Sequence, residues 1–315
     1  MVIGVAAFQL IPQVLLGLFN ANADMLAVGD PQVKNSEQVG YFREEGIADM
    51  RKLMAADASK RYFALILGDL VYDQMGMYDA YVKSLSELGI PLFHVIGNHD
   101  HDKNAVDAVD EPELQDPAAD DDYESFIGPT YYSLNVGDVH YVMLDNIVGL
   151  GNCKYKYLIN SAQLAWLKKD LALVDKSTPL IVSMHVPAYT YTGISDGKPM
   201  TKKRNTQYQD VQVLINILKP FKEAHILTGH DHRNRNIQIT HNILEHNFAS
   251  ASAISWKLND VRIMTTDGTL SGYQIFDISG KQIQWHYKAV GLTPEKSQFR
   301  AYDCLLYTSP SPRDR

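Results

Sequence analysis

The amino-acid sequence predicts a mixed α/β fold, and three observations carry that prediction. Short, near-continuous apolar runs at 25–28, 62–67, 91–96, 180–184 and 224–228, each bounded by turn residues, read as buried strands. Stretches between them place apolar residues at helical spacing. Between 235 and 288 the pattern changes to short alternating runs such as GYQIFDI and IQWHYK, which read as antiparallel strands.

In chain order, the first helix is expected at 36–56, where Val39, Phe42, Ile47, Met50 and Leu53 recur every three to five residues. Others are expected at about 75–88, 161–173 and 208–219; the 161–173 helix has Leu164, Leu167 and Leu171 on one face and Asn160 or Ser161 placed as its cap. Glycines at 29, 68, 97 and 229 follow strands, and each is expected to let the backbone turn sharply there.

Composition bounds the reading further. A chain of 315 residues, 45% hydrophobic and 10% aromatic, can bury a sizeable core in one main domain. The net charge of −8 and pI near 5.7 discourage a nucleic-acid polymer as partner. Cys153 has no catalytic partner near it in sequence, and no Cys-x-x-Cys motif occurs, so the redox compartment stays open.

Polar motifs follow the apolar runs in a regular series. They are Asp30-Pro31-Gln32, Gly68-Asp69, Gly97-Asn98-His99-Asp100, His185 in SMHVP, and Gly229-His230-Asp231-His232. Strand carboxyl ends are where α/β sheets build their sites. Singly, these residues have plain readings: Asp30 as a turn former, Asp69 as a helix cap, Asn98 as part of a strand exit. His230 and His232 are more specific, because alternation by two puts both rings on one side of an extended segment. Five such motifs in one chain supply enough oxygen and nitrogen donors for two adjacent metal ions, an arrangement suited to phosphoester hydrolysis.

The ordered motifs resemble the calcineurin-like metallophosphoesterase superfamily, whose pattern runs D-x-H, G-D, G-N-H-D/E, H, G-H-x-H. Within it the sequence is most similar to bacterial members whose first motif reads D-P-Q. The likeness extends to 126–146, 163–171 and 267–280, and covers roughly 24–303. It implies a four-layer α/β/β/α sandwich of two mixed sheets and a hydrolase using two divalent ions (Mn, Fe, Zn or Mg).

Carried over by position, the resemblance implies that Asp69 bridges the two metals. Asp30, Gln32 and His232 would complete one shell, with Asn98, His185 and His230 around the other. His99 would act on the phosphate or leaving oxygen as a general acid, its ring oriented by Asp100, while a metal-held hydroxide attacks phosphorus. Gln32 departs from the usual histidine and, as a neutral amide oxygen, makes a weaker donor that favours manganese or magnesium. The substrate implied is a small phosphomonoester or phosphodiester. A pyrophosphatase acting on nucleotide or sugar diphosphates is the chemical alternative, and a non-catalytic binding scaffold is the alternative of another class.

The remaining features have weaker claims. His94 and His140 lie within apolar runs and read as core groups, whereas His101, His225, His241, His246 and His286 have no partner pattern; Asp73 is a candidate support for the site. From 102 to 124 the chain carries ten Asp or Glu against Lys103 alone, which reads as a solvated loop or a lid that repels polyanions. The basic segment 197–207 reads as a surface loop or a phosphate attractant.

At the ends, 1–23 reads as an apolar leader or the remnant of an upstream domain, 24–303 as the catalytic domain, and 304–315 as the translated remnant of a sequencing adapter. A further C-terminal domain is expected beyond the chain. Ala21-Asn22-Ala23 resembles a signal cleavage site, although no Lys or Arg precedes Lys34, so a periplasmic or secreted location is favoured over the cytoplasm. The broken apolar run is not expected to form a stable membrane span.

Overall fold

Strand β1 (Asp24–Val28) explains the architecture in miniature, because its continuous apolar run has two faces to bury. Met25 and Ala27 join one core and Leu26 and Val28 another, as alternation along a strand requires. The computed structural model describes residues 22–103, 117–150, 154–195, 198–204, 209–253, 256–257 and 264–299.

After β1 come β2 (Tyr62–Leu67) and β3 (Leu92–Val95), parallel to it. Then β4 (Tyr132–Val136) and β5 (Val139–Met143) form a hairpin, followed by the ribbon β6 (Ile147–Gly149) and β7 (Tyr155–Tyr157). Strand β8 (Leu180–Ser183) precedes a second hairpin, β9 (Tyr189–Ser195) with β10 (Lys198–Lys203). Next are β11 (Ala224–Thr228), β12 (Arg235–Thr240), β13 (Ile243–Asn247), β14 (Gly272–Ser279) and β15 (Gln282–Ala289).

Two mixed sheets result, ordered β15-β14-β1-β2-β3 and β12-β13-β11-β8-β5-β4. Met25, Phe63 and Leu67 of the first meet Tyr141, Ile181 and Leu227 of the second in a shared core. Their outer faces are covered by helices: Leu26 and Ile66 pack with Val39, Phe42 and Tyr81, while Val182 and Ile226 pack with Leu167, Leu171 and Leu214. The fold is the four-layer α/β/β/α sandwich.

The first helical stretch is continuous but not uniform. α1 (Ser36–Tyr41) passes through a π-helical segment, Phe42–Ile47, into α2 (Ala48–Ala56). The wider turn lets the Phe42 ring lie over Gly46, where a Cβ would come within 3.1 Å of it. α3 (Tyr78–Ser86) begins after a 3₁₀ turn at Met75–Met77, so the helix expected at 75–88 is shorter. α4 (Pro117–Phe126) occupies part of the acidic segment read as a loop, with Pro117 at its first residue, where no intrahelical N–H is needed. Residues 104–116 lie outside the described ones.

α5 (Ser161–Ala172) is capped by Asn160, whose side chain accepts from the Gln163 amide, and α6 (Asp210–Leu218) follows; a short α7 (Pro294–Ser297) comes after β15. Two further expectations change. Within the basic segment at 197–207, Lys198–Lys203 forms β10 of the β9–β10 hairpin while 197 and 205–207 lie outside the described residues, and β13 pairs parallel to β11 although it pairs antiparallel to β12. Among the described residues, no helix is long and apolar enough to cross a membrane.

Candidate metal centre

Each site motif begins where a strand ends, and in three of the five the backbone there is bent in the same way. Asp30 (φ 47°), Gln32 (φ 47°), Asp69 (φ 51°), His230 (φ 66°) and His232 (φ 53°) all adopt the left-handed conformation that L side chains disfavour. Hydrogen bonds between motifs hold these turns in place. The Gln32 amide donates to the Asp69 carbonyl at 2.8 Å, the Gly229 amide to the His185 carbonyl at 2.9 Å, and the His230 amide to the Asp30 carboxylate at 3.0 Å.

The glycines act mainly through size. Only Gly68 of the four has positive φ (84°); at Gly97 a Cβ would sit 2.1 Å from the Asp69 amide nitrogen, and at Gly229 one would sit 2.5 Å from Asp30 Oδ2. The sharp-turn expectation therefore holds for Gly68, whereas Gly97 and Gly229 permit close approach of neighbouring motifs.

The turns converge on two groups of donors. Asp69, His185 and His230 form one, and Asp30, Asp69 and His232 the other, each with candidate ligand atoms within 4.8 Å of one another. Asp69 belongs to both. His185 Nε2 lies 3.2 Å from Asp69 Oδ1, and His232 Nε2 lies 3.3 Å from Asp30 Oδ1. Asn98 Oδ1 adds an amide oxygen beside the first group, 2.8 Å from His230 Nδ1. Gln32 also reaches the site, but as a donor, its Nε2 lying 3.0 Å from Asp69 Oδ2.

Electrostatics at the centre favour a cation. Asp30, Asp69 and His185 are almost wholly buried, and His185 Nε2 makes no hydrogen bond among the described residues while its Nδ1 donates to the Leu67 carbonyl at 2.7 Å. Burial opposes charge on both Asp69 and His185, yet their mutual attraction prevails: Asp69 falls below the usual carboxylate range and His185 rises to about 10. Burial, aided by the His185 charge, lowers His230 to about 3, which leaves its imidazole neutral. Buried carboxylates facing an orphaned imidazole nitrogen and a neutral histidine fit a divalent metal pair.

His99 is positioned differently from expectation. Its Nδ1 lies 2.8 Å from Asp73 Oδ1, and its ring stacks on Tyr72 at 4.0 Å. Asp100 does not orient it. Asp100 Oδ1 accepts from the Leu70 and Val71 amides at 2.8 and 3.1 Å, and Oδ2 accepts from Gly97 at 2.8 Å. Both oxygens of this buried group face the backbone of the two turns that carry Asp69 and Asn98 rather than the His99 ring.

Of the other residues at the centre, Tyr157 and Lys103 had no readable signal, whereas Arg204 lies in the basic segment and Asp73 was a candidate support. Tyr157 places its hydroxyl 3.0 Å from His230 Nε2, and Arg204 pairs with Asp231. Lys103 Nζ lies 2.7 Å from Asp73 Oδ1. By contrast, His94 and His140 are core groups as expected, the latter held by Asn135 at 2.8 Å and Asp170 at 2.9 Å. The donors open into a cleft of about 280 Å³, whose lining includes Lys34, Tyr72, His99, Tyr155 and Trp256.

Comparison with known families decides the class. Residues 24–234 match the family model described as calcineurin-like phosphoesterase, and residues 245–310 match that for the C terminal of calcineurin-like phosphoesterase. The chain belongs to the calcineurin-like phosphoesterases. The C-terminal match reaches into the 304–315 segment that reads as adapter-like, which is outside the described residues.

Among curated relatives of this phosphoesterase, purple acid phosphatase 15 of Arabidopsis thaliana is 35% identical over 103 residues, 32% of this chain and 18% of that protein. Purple acid phosphatase 23 of the same plant is 31% identical over 116 residues, 36% of this chain and 24% of that protein. The matches thus span less than a quarter of the curated relatives. In fold, the chain is similar to the yellow lupin purple acid phosphatase PPD1 (TM-score 0.58, 14% identity, 90% of this chain and 53% of that one). It is also similar to a Danio rerio dimetal phosphatase (TM-score 0.54, 12% identity, 85% and 96%). Among the described residues, the two donor groups that share Asp69 are the candidates for a metal centre in this member of the family.

Proposed function

We propose that this phosphoesterase hydrolyses small phosphomonoesters, with Asp69 shared between two cations. The supporting observation is that Asp69 belongs to both donor groups. His185, His230 and Asn98 would hold one ion, and Asp30 and His232 the other, with Gln32 steadying Asp69 by its amide hydrogen bond. When bound, the pair supplies positive charge for the phosphate oxygens and lowers the pKa of water.

The chain's own residues do the rest. With Nδ1 engaged by Asp73, the remaining ring nitrogen of His99 is the one available to the cleft, where it donates a proton to the departing oxygen. Lys34 adds a cation to the same cleft, and Tyr72, Tyr155 and Trp256 supply an apolar wall for the alcohol. A cleft of about 280 Å³ suits one ester substituent better than two.

The D-P-Q motif supports kinship with the bacterial members that share it, and a full set of donors beside a supported His99 counts against a non-catalytic scaffold. Hydrolysis of an aryl phosphate, a bis-aryl phosphate and a nucleotide diphosphate, each with Mn²⁺, Zn²⁺, Mg²⁺ or chelator, tests the reading. The monoester should turn over fastest and chelator should abolish it. Preference for the diphosphate would favour the pyrophosphatase, and no turnover with any metal would favour the scaffold.

A further inference from the structure

Beside the catalytic centre lies a second buried arrangement with the same design. His185 gives Nδ1 to a backbone carbonyl at 2.7 Å, keeps Nε2 free of hydrogen bonds among the described residues, and faces a carboxylate oxygen at 3.2 Å. His101 repeats each element. Its Nδ1 lies 2.8 Å from the Gly97 carbonyl, its Nε2 is buried without a hydrogen bond among the described residues, and Asp120 Oδ1 stands 3.1 Å from that nitrogen.

Asp145 completes the group. Ligand atoms of His101, Asp120 and Asp145 all lie within 4.8 Å of one another, and the three residues are only 3%, 6% and 5% exposed. The Gly97 carbonyl is an acceptor only, so Nδ1 carries the proton that meets it. In the neutral ring, which burial favours by lowering His101 to about 4, Nε2 then presents a lone pair. A lone pair set against a carboxylate oxygen is repulsive unless something positive lies between them. A backbone carbonyl orienting the far nitrogen is also how metal-bound imidazoles are held.

We propose that His101 Nε2, Asp120 and Asp145 form a third divalent cation site, distinct from the catalytic pair. A neutral imidazole and two carboxylates balance a 2+ charge, and this mixed N/O set suits Zn²⁺ with water as a fourth ligand. The ion would tie three separate pieces of chain together: the loop carrying His99, the first turn of α4, and the segment after β5. The Asp102 amide already bonds the Ala119 carbonyl at 2.9 Å across part of that junction. The role is structural and does not rest on the catalytic reading.

Metal content per chain, measured by inductively coupled plasma mass spectrometry, tests the site in Asp69→Ala, His101→Asn and the double variant. Asp69→Ala should keep one equivalent that the double variant lacks. Added Zn²⁺ should raise the melting temperature of Asp69→Ala by several degrees and leave the double variant unmoved. Equal metal content in Asp69→Ala and the double variant, both folded by circular dichroism, would overturn the proposal and leave His101 and Asp120 sharing a proton. If His101→Asn fails to fold, Asp120→Asn takes its place with the same two outcomes.

Discussion

Asp73 and His99 clasp each other twice: Asp73 Oδ1 lies 2.8 Å from His99 Nδ1, and the Asp73 amide donates to the His99 carbonyl at 3.1 Å. The carboxylate fixes the ring by accepting from Nδ1, as an orienting acceptor does for a catalytic histidine. Replacing Asp73 with Asn should lower kcat by roughly 10- to 100-fold while metal content stays at the wild-type value. The pH profile of kcat should shift as well, which a merely structural residue would not cause. An unchanged profile with normal turnover would remove Asp73 from the catalytic account.

Asp100 has a different task, so its replacement should read out differently. Its carboxylate accepts three backbone N–H groups, and in Asp100→Asn the amide NH₂ must face at least one of those donors. Thermal unfolding should show a loss of about 2–3 kcal/mol, the cost of leaving buried donors unpaired. Stability equal to wild type would show that the turns do not depend on it.

Asp69 contributes to both donor groups. Asp69→Ala should therefore lose both catalytic ions and slow phosphomonoester hydrolysis by about 10³-fold or more. Metal analysis beside single-turnover rates checks this, and retention of the catalytic pair would contradict the bridging role.

Gly97→Ala tests close approach rather than turn geometry. The new methyl would meet the Asp69 amide nitrogen at 2.1 Å, and neither backbone segment can retreat without moving a motif. Denaturant unfolding should show a loss of about 3 kcal/mol. Metal binding should weaken alongside it, because the displaced turn carries Asp69.

His94 sets a stability limb in acid. Burial lowers it from 6.5 to about 3; its Nε2 has no hydrogen bond among the described residues, the Tyr81 ring stands edge-on to it, and the Tyr132 hydroxyl meets its backbone. Because the folded-state value is depressed, the unfolded chain binds the proton first as pH falls. Stability from this group is thus complete above pH 6.5 and declines toward pH 3 by roughly 1.4 kcal/mol per pH unit. His94→Phe should reduce the slope of unfolding free energy against pH in that window. An identical slope would mean that His94 is protonated in the fold.

The layers were legible because burial on two faces leaves a continuous apolar run, and packing on one face leaves helical spacing. Met25 to Val28 and Leu164 to Leu171 carried those patterns openly. Hinges were less legible. The π-helical segment at Phe42–Ile47 keeps helical spacing through an irregular turn, and β13 pairs parallel on one side and antiparallel on the other. Neither has a local code, since both depend on what the neighbouring element presents.

By itself, the sequence determined which donor types stand at strand ends, in what order, and that their chemistry suits a pair of divalent ions. Only the tertiary structure decided which carboxylate supports His99, that Gln32 meets Asp69 through its nitrogen, and that His101 joins Asp120 and Asp145. The reason is geometric. A strand end fixes the place of a residue through local backbone preference, whereas the partner of its side chain comes from a distant turn brought near by folding.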